Sequence, residues 1–138
     1  EMKPLTNVAS GGELSRIMLA IKSTLAHIDK VDTLIFDEID AGISGKTAQK
    51  VAEKLSILSR NHQIICITHL PQIASMADTH FIIEKKVKKD KTITSIAPLD
   101  EEYSIEELAR LLGGVSITDN VLNSAREMKD MANKTKIH

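Results

Sequence analysis

Aromatic side chains are nearly missing from this sequence: two Phe, one Tyr and no Trp in 138 residues. Single-stranded bases are usually held by stacking on such rings, so the main surface of any nucleic-acid complex is expected to lie outside these residues. Cysteine is almost absent too. The single Cys66 sits inside an apolar run, which excludes a disulfide framework or thiolate metal cluster and fits a reducing cytosol. A net charge of −1 leaves no basic excess to attract a polyanion. No apolar run approaches the roughly 20 residues of a membrane span, and nothing at the start resembles a signal peptide. Apolar content of 42% and charged content of 27% are ordinary for a globular chain. The length suits one domain, 1–138, large enough for a real core.

What is present centres on Thr33–Asp40, Thr-Leu-Ile-Phe-Asp-Glu-Ile-Asp. The apolar run reads as a parallel strand covered on both faces, ending in adjacent carboxylates at Asp37 and Glu38, with a third at Asp40. Open α/β sheets carry their chemistry at the carboxyl ends of such strands. A strand ending in Asp is the Walker B pattern, in which the Asp holds Mg²⁺; a second acid beside it suits a proton acceptor for an attacking water. A solvated acidic turn is the plainer reading.

Before it stands Ala9-Ser10-Gly11-Gly12-Glu13-Leu14-Ser15-Arg16, followed by Leu14, Ile17, Met18, Ile21, Leu25 and Ile28 at helical spacing. Ser10 and Glu13 form a capping box. Gly11 and Gly12 strip the first turn of side chains, and a bare helix amino terminus beside a serine suits a phosphate. Arg16 is free to touch phosphate or a partner, or to pair with Glu13 one turn away. After the acidic edge, Ser44 is a candidate N-cap for a helix burying Ala48, Val51, Ala52, Leu55 and Leu58 and ending at Asn61-His62. Gln63–Thr68 reads as a second buried strand ending at His69, and Leu70–Met76 as a short helix admitting Pro71 in its first turn. Thr79–Glu84 and Thr92–Pro98 suit a hairpin, whose lysines at 85, 86, 88, 89 and 91 read as a solvated turn. Ser104–Glu107 reads as a second capping box, with its helix stopped by Gly113-Gly114. The last helix starts near Thr118 and buries Val121, Leu122, Ala125 and Met128, and the polar tail 133–138 is expected to fray. Met18, Met76, Met128 and Met131 read as core fillers; His27, His62, His80 and His138 share no ligand spacing.

Gly45-Lys46-Thr47 opens a helix after a strand, as a Walker A loop does. The full pattern needs glycine where Asp40 stands, so Lys46 and Thr47 are read as ordinary first-turn residues. The chain then has a magnesium-side acid pair without a phosphate cradle.

The ordered set Ser10–Glu13, Asp37-Glu38 with Asp40, and His69 resembles the carboxyl-terminal half of an ABC-type ATPase head. Each motif is weak alone and the order is specific. The resemblance makes Ser10, Gly11, Gly12 and Glu13 the signature motif, Thr33–Glu38 Walker B, Asp40 the D-loop residue and His69 the switch histidine. Glu13, where transporter subunits usually carry glutamine, leans toward the SMC-like branch. Ala9–Lys22, Ile35–Gly45, Ile67–Ala74 and Glu107–Gly114 most resemble the RecN family of bacterial DNA-repair proteins.

The resemblance implies an α/β fold: the C-terminal lobe of a P-loop NTPase head, with a mostly parallel sheet, flanking helices, a hairpin and two closing helices. Walker A would lie in an amino-terminal lobe beyond a coiled coil, and the abrupt opening Glu1–Asn7 is what a returning lobe would show. The resemblance further implies ATP and Mg²⁺ as cofactors, with Asp37 on the metal, Glu38 as general base and His69 on the γ-phosphate. Ser10, Gly11, Gly12 and Glu13 would close on ATP held by a second head, with Asp40 at the head–head interface. The implied partners are the Walker A lobe, a second identical head and DNA, with no membrane. The implied setting is the bacterial cytoplasm at the nucleoid, in double-strand break repair and recombination. ATPase activity would belong to the full-length protein, and this piece alone is expected to be inactive. A transporter nucleotide-binding subunit and a non-catalytic interaction module are the alternatives.

Overall fold

The computed structural model describes residues 9–25, 30–88 and 91–137. The expectations resting on Glu1–Asn7, His27, Ile28, Lys89 and His138 lie outside the described residues. Along the chain run α1 (Gly11–Leu25), β1 (Thr33–Phe36), α2 (Gly45–Leu58), β2 (Gln63–Cys66) and α3 (Pro71–Ala74). They are followed by β3 (His80–Lys88), β4 (Lys91–Leu99), α4 (Glu101–Gly113) and α5 (Asp119–Ile137). β1 and β2 pair in parallel, from Thr33 opposite Gln63 to Phe36 opposite Cys66. β3 and β4 form a separate antiparallel hairpin; β3 starts one residue later than the sequence suggests and runs four further, and β4 is one residue longer at each end.

The expected α2 face is buried residue for residue. It packs with Leu34 and Phe36 of β1, Leu19 of α1, Ile73 and Met76 near α3, and Ala132 of α5. A second core joins Ala74 to Leu108 and Ala109 of α4 and Ala125 of α5. The parallel pair is covered on one face only. Leu34 and Phe36 are buried, but Ile35 is 67% exposed, and Ile65 and Ile67 share its openness. Period-2 geometry sends alternate side chains to opposite faces, and among the described residues the helices pack against just one of them.

α1 reverses its expected face. Gly12 and Leu19 are buried and Ser15 and Arg16 half-buried, whereas Ile17, Met18, Ile21 and Leu25 stay exposed. The apolar stripe faces outward and a polar one meets the lobe. Met131 is also exposed, so two of the four methionines are not core fillers.

The caps divide similarly. Ser10 and Glu13 make the expected box: Glu13 Oε2 accepts from the Ser10 amide at 2.8 Å and its hydroxyl at 3.0 Å. Ser44 holds the N-cap position of α2 without a side-chain capping bond. The box expected at Ser104 is not a cap. The cap of α4 stands four residues earlier, at Asp100, whose side chain accepts from the Tyr103 amide at 2.9 Å. Ser104 lies inside the helix, 2.8 Å from His80 Nδ1, and Glu107 pairs with Arg110. Asp100→Ala is therefore expected to cost about 1 kcal/mol of stability in a denaturant titration; no loss would mean the cap contributes nothing. Gly114, at φ 68°, ends α4 as expected. α2 ends at Leu58, and His62 is buried with Nδ1 2.6 Å from the Val31 carbonyl. The tail does not fray before 137: α5 continues, and Lys136 reaches Asp78 at 2.7 Å.

Candidate functional site

β1 ends at Phe36 and delivers Asp37 and Glu38 to the surface, both exposed. Asp37 Oδ1 accepts from the Glu38 amide at 2.9 Å. Glu38 has φ 54°, the only non-glycine residue in the left-handed region among those described. The turn closes through the Ala41 amide to the Glu38 carbonyl at 2.9 Å and the Ile43 amide to the Asp40 carbonyl at 3.3 Å.

The start of α1 is packed onto this turn. Ser15 Oγ donates to the Asp37 carbonyl at 2.7 Å, and Arg16 Nη1 donates to the carbonyls of Ile39 at 3.1 Å and Ala41 at 2.8 Å. Arg16 also helps hold the Glu13 carboxyl below its ordinary range by its charge, after the Ser10 amide and hydroxyl. The double glycine has a local reason as well. A Cβ on Gly12 would stand 2.7 Å from the Glu38 carbonyl oxygen and 2.8 Å from Ala41 Cβ, while one on Gly11 would stand 2.5 Å from Glu38 Oε2. The Glu38 carboxylate lies over Gly11.

These two contacts predict different failures. Gly12→Ala meets backbone and is expected to lower stability and any activity of the site together. Gly11→Ala meets the free end of a side chain, so the melting temperature should hold while any activity that depends on the Glu38 carboxylate falls at least about tenfold by its displacement. Equal melting losses in the two variants would contradict this.

Asp40 faces inward. It is 3% exposed, and its Oδ2 accepts from Thr68 Oγ1 at 2.6 Å and the His69 amide at 2.8 Å, with His69 Nδ1 2.9 Å away. Burial opposes its charge, but the Thr68 hydroxyl, the His69 amide and the His69 ring outweigh that and hold the carboxyl below its ordinary range. Within this lobe Asp40 thus holds His69, whose own side chain is 72% exposed. Glu13 is likewise held below its ordinary range by the Ser10 amide and hydroxyl. Cys66, behind the site, is no nucleophile: burial, with the charges of Asp40 and Asp37, pushes its thiol up to about 12.

The start of α1, the acidic edge and His69 thus form one hydrogen-bonded unit. Ser15 and Thr68 belong to it although sequence reasoning gave them no place there, their one signal being adjacency to the motifs, and Arg16 joins it through backbone carbonyls that the sequence did not indicate. Lys46 and Thr47 are exposed first-turn residues of α2. Among the described residues no group of three or more His, Cys, Asp or Glu is placed to hold a metal. Asp37 is a carboxylate exposed at the end of β1, the kind of single oxygen ligand that binds Mg²⁺ together with phosphates.

No protein-family model matches the sequence. The chain is 47% identical to the DNA repair protein RecN of Bacillus subtilis (strain 168) over 135 residues, 98% of this chain. It is 48% identical to RecN of Treponema pallidum over 126 residues and 49% identical to that of Vibrio cholerae over 129. The chain matches the carboxyl-terminal portion of RecN. It spans 23% of the length of the Bacillus RecN and 22% of the Treponema one. A solved chain from work on ATP-driven dimerization and DNA-stimulated activation of SMC ATPases superposes at a TM-score of 0.55, covering 80% of this chain and 66% of that one at 23% identity. The RecN-like lobe therefore has the fold of an SMC-type, ABC-class head lobe. Among the described residues no helix is long and apolar enough to cross a membrane.

Proposed function

We propose that this lobe completes an ATP-hydrolysing, SMC-like head that works in bacterial DNA double-strand break repair, at the nucleoid in the cytoplasm. The observation that carries the reading is the unit just described, in which Asp37, Glu38 and His69 share one edge beside the signature helix. RecN relatives over nearly the whole chain support the repair context. Bound Mg²⁺ would supply charge neutralisation at the phosphates, and Asp37 would be its ligand from this chain. Glu38 would accept the proton of the attacking water. His69, held through Nδ1 by Asp40, would present its other ring nitrogen toward the γ-phosphate. Ser10, Gly11 and Gly12, at the positive end of α1, would face ATP on a second, identical head, with the Gly11 and Gly12 amides as the donors because the Ser10 amide is engaged by Glu13. Glu13, engaged with Ser10, would shape that start. ATP would thereby hold two heads together until hydrolysis releases them. DNA would be engaged by the full-length protein.

The open faces support a missing Walker A lobe. Ile35, Ile65 and Ile67 on the sheet and Ile17, Met18, Ile21 and Leu25 on α1 expose apolar surface that a complete head would cover. Calorimetry of Mg-ATP with this chain alone, and with the chain plus a separately made Walker A lobe, tests the reading. Binding is expected only in the mixture. Tight binding by the chain alone would make Gly45-Lys46-Thr47 a true phosphate cradle and overturn the split head.

A further inference from the structure

We propose that Ser15 and Arg16 are positioning residues that hold Glu38 in its strained conformation by clamping the backbone on both sides of it. A left-handed φ is unfavourable for a residue with a Cβ and persists only where the surroundings over-determine it. Glycine would remove the strain, but it would also remove the carboxylate. The chain instead fixes the flanking peptides. Ser15 Oγ holds the Asp37 carbonyl from one side at 2.7 Å, and Arg16 Nη1 holds the Ile39 and Ala41 carbonyls from the other at 3.1 and 2.8 Å. The three carbonyls alternate along the turn, and Glu38, at φ 54°, lies between the first two.

Gly12 lets the clamp close, since a side chain there would collide with the Glu38 carbonyl and Ala41. Ser15 and Arg16 are neighbours on the inward face of α1, one helical turn from Gly12 and Leu19. The polar face of the helix therefore has a purpose: it grips the catalytic turn while the apolar stripe is left for another surface. A guanidinium suits this because its fixed planar fork keeps one nitrogen between two carbonyls; a lysine ammonium carries the charge without that geometry. The clamp would make the start of α1 and the placement of the general base parts of one rigid body within the same chain.

The inference rests on Glu38 acting as general base, and the test separates the two claims. In the full-length protein, Ser15→Ala, Arg16→Ala and Arg16→Lys are each made alone and with Glu38→Gln, and Mg-ATP hydrolysis is followed under steady-state and single-turnover conditions. Arg16→Ala is expected to lower kcat by about tenfold to a hundredfold, the penalty of a catalytic group misplaced by about an ångström, with KM for Mg-ATP within about twofold of wild type. Arg16→Lys should fall between the two. In the Glu38→Gln background the clamp variants should cause no further loss, because they act through Glu38 alone. The same factor in both backgrounds, or a change in KM with kcat kept, would overturn the clamp and give Arg16 a separate role on phosphate or partner. Should Arg16→Ala fail to fold by circular dichroism, Ser15→Ala decides, since it deletes a single hydroxyl: a wild-type kcat there overturns the proposal, and a loss confined to the Glu38 background upholds it. If Glu38→Gln itself turns over ATP at the wild-type rate, the general-base reading fails first and takes the clamp with it.

Discussion

Glu38→Gln in the full-length protein is expected to lower ATP turnover by about 10² to 10⁴-fold, the usual contribution of a positioned general base. The exchange keeps shape and most polar contacts but removes the ability to accept a proton. Glu38 is exposed, and its carboxylate lies over Gly11 without a core around it, so the fold should be unaffected. The ATP-bound state should persist. Sedimentation of the variant with ATP is expected to show paired heads accumulating, as the proposed release of heads by hydrolysis requires. Turnover close to wild type would dismiss Glu38 as the base, and the non-catalytic module would become the better account of the lobe.

Removing Asp40 should injure the lobe more broadly. One buried oxygen serves the Thr68 hydroxyl, the His69 amide and the His69 ring, so Asp40→Ala strands one side-chain and one backbone donor and frees the histidine. Hydrogen bonds to a charged acceptor are worth about 1.5–3 kcal/mol each and are only partly recovered by water; a loss of about 2–4 kcal/mol in chemical denaturation is expected. Activity should fall too, because His69 loses its anchor. The acid limb of stability gives a second reading. The folded carboxyl lies below its ordinary value of 3.8, so the stabilisation is present above about pH 4 and is lost as pH falls through the depressed folded value. Asp40→Asn should flatten that limb of the melting-temperature profile. A variant as stable as wild type at neutral pH, with an unchanged acid limb, would show that Thr68 and His69 need no carboxylate.

Much of the lobe was legible because its signals are local. The α2 face follows from 3.6-residue spacing, the Ser10–Glu13 box from two residues three apart, and the α4 stop from Gly113-Gly114. Where local signals competed, the sequence misled. Ser104–Glu107 and Asp100–Tyr103 both suit a helix start; the helix begins after Asp100, and Ser104 lies inside it against His80. The α1 stripe was correctly periodic, but periodicity does not say which side meets the rest of the lobe. The apolar run at β1 likewise could not reveal that helices cover one face.

The sequence by itself determined the order of the motifs, the elements that carry them and the family likeness, since all three depend on which residues follow one another. Only the tertiary structure decided what touches what across 22 to 29 positions of chain. It turned Asp40 inward onto His69, set Ser15 and Arg16 on alternate carbonyls, and showed that Gly11 and Gly12 leave room for Glu38 and its turn. Those facts arise from close approach between distant segments, which no pattern of neighbours along a chain encodes.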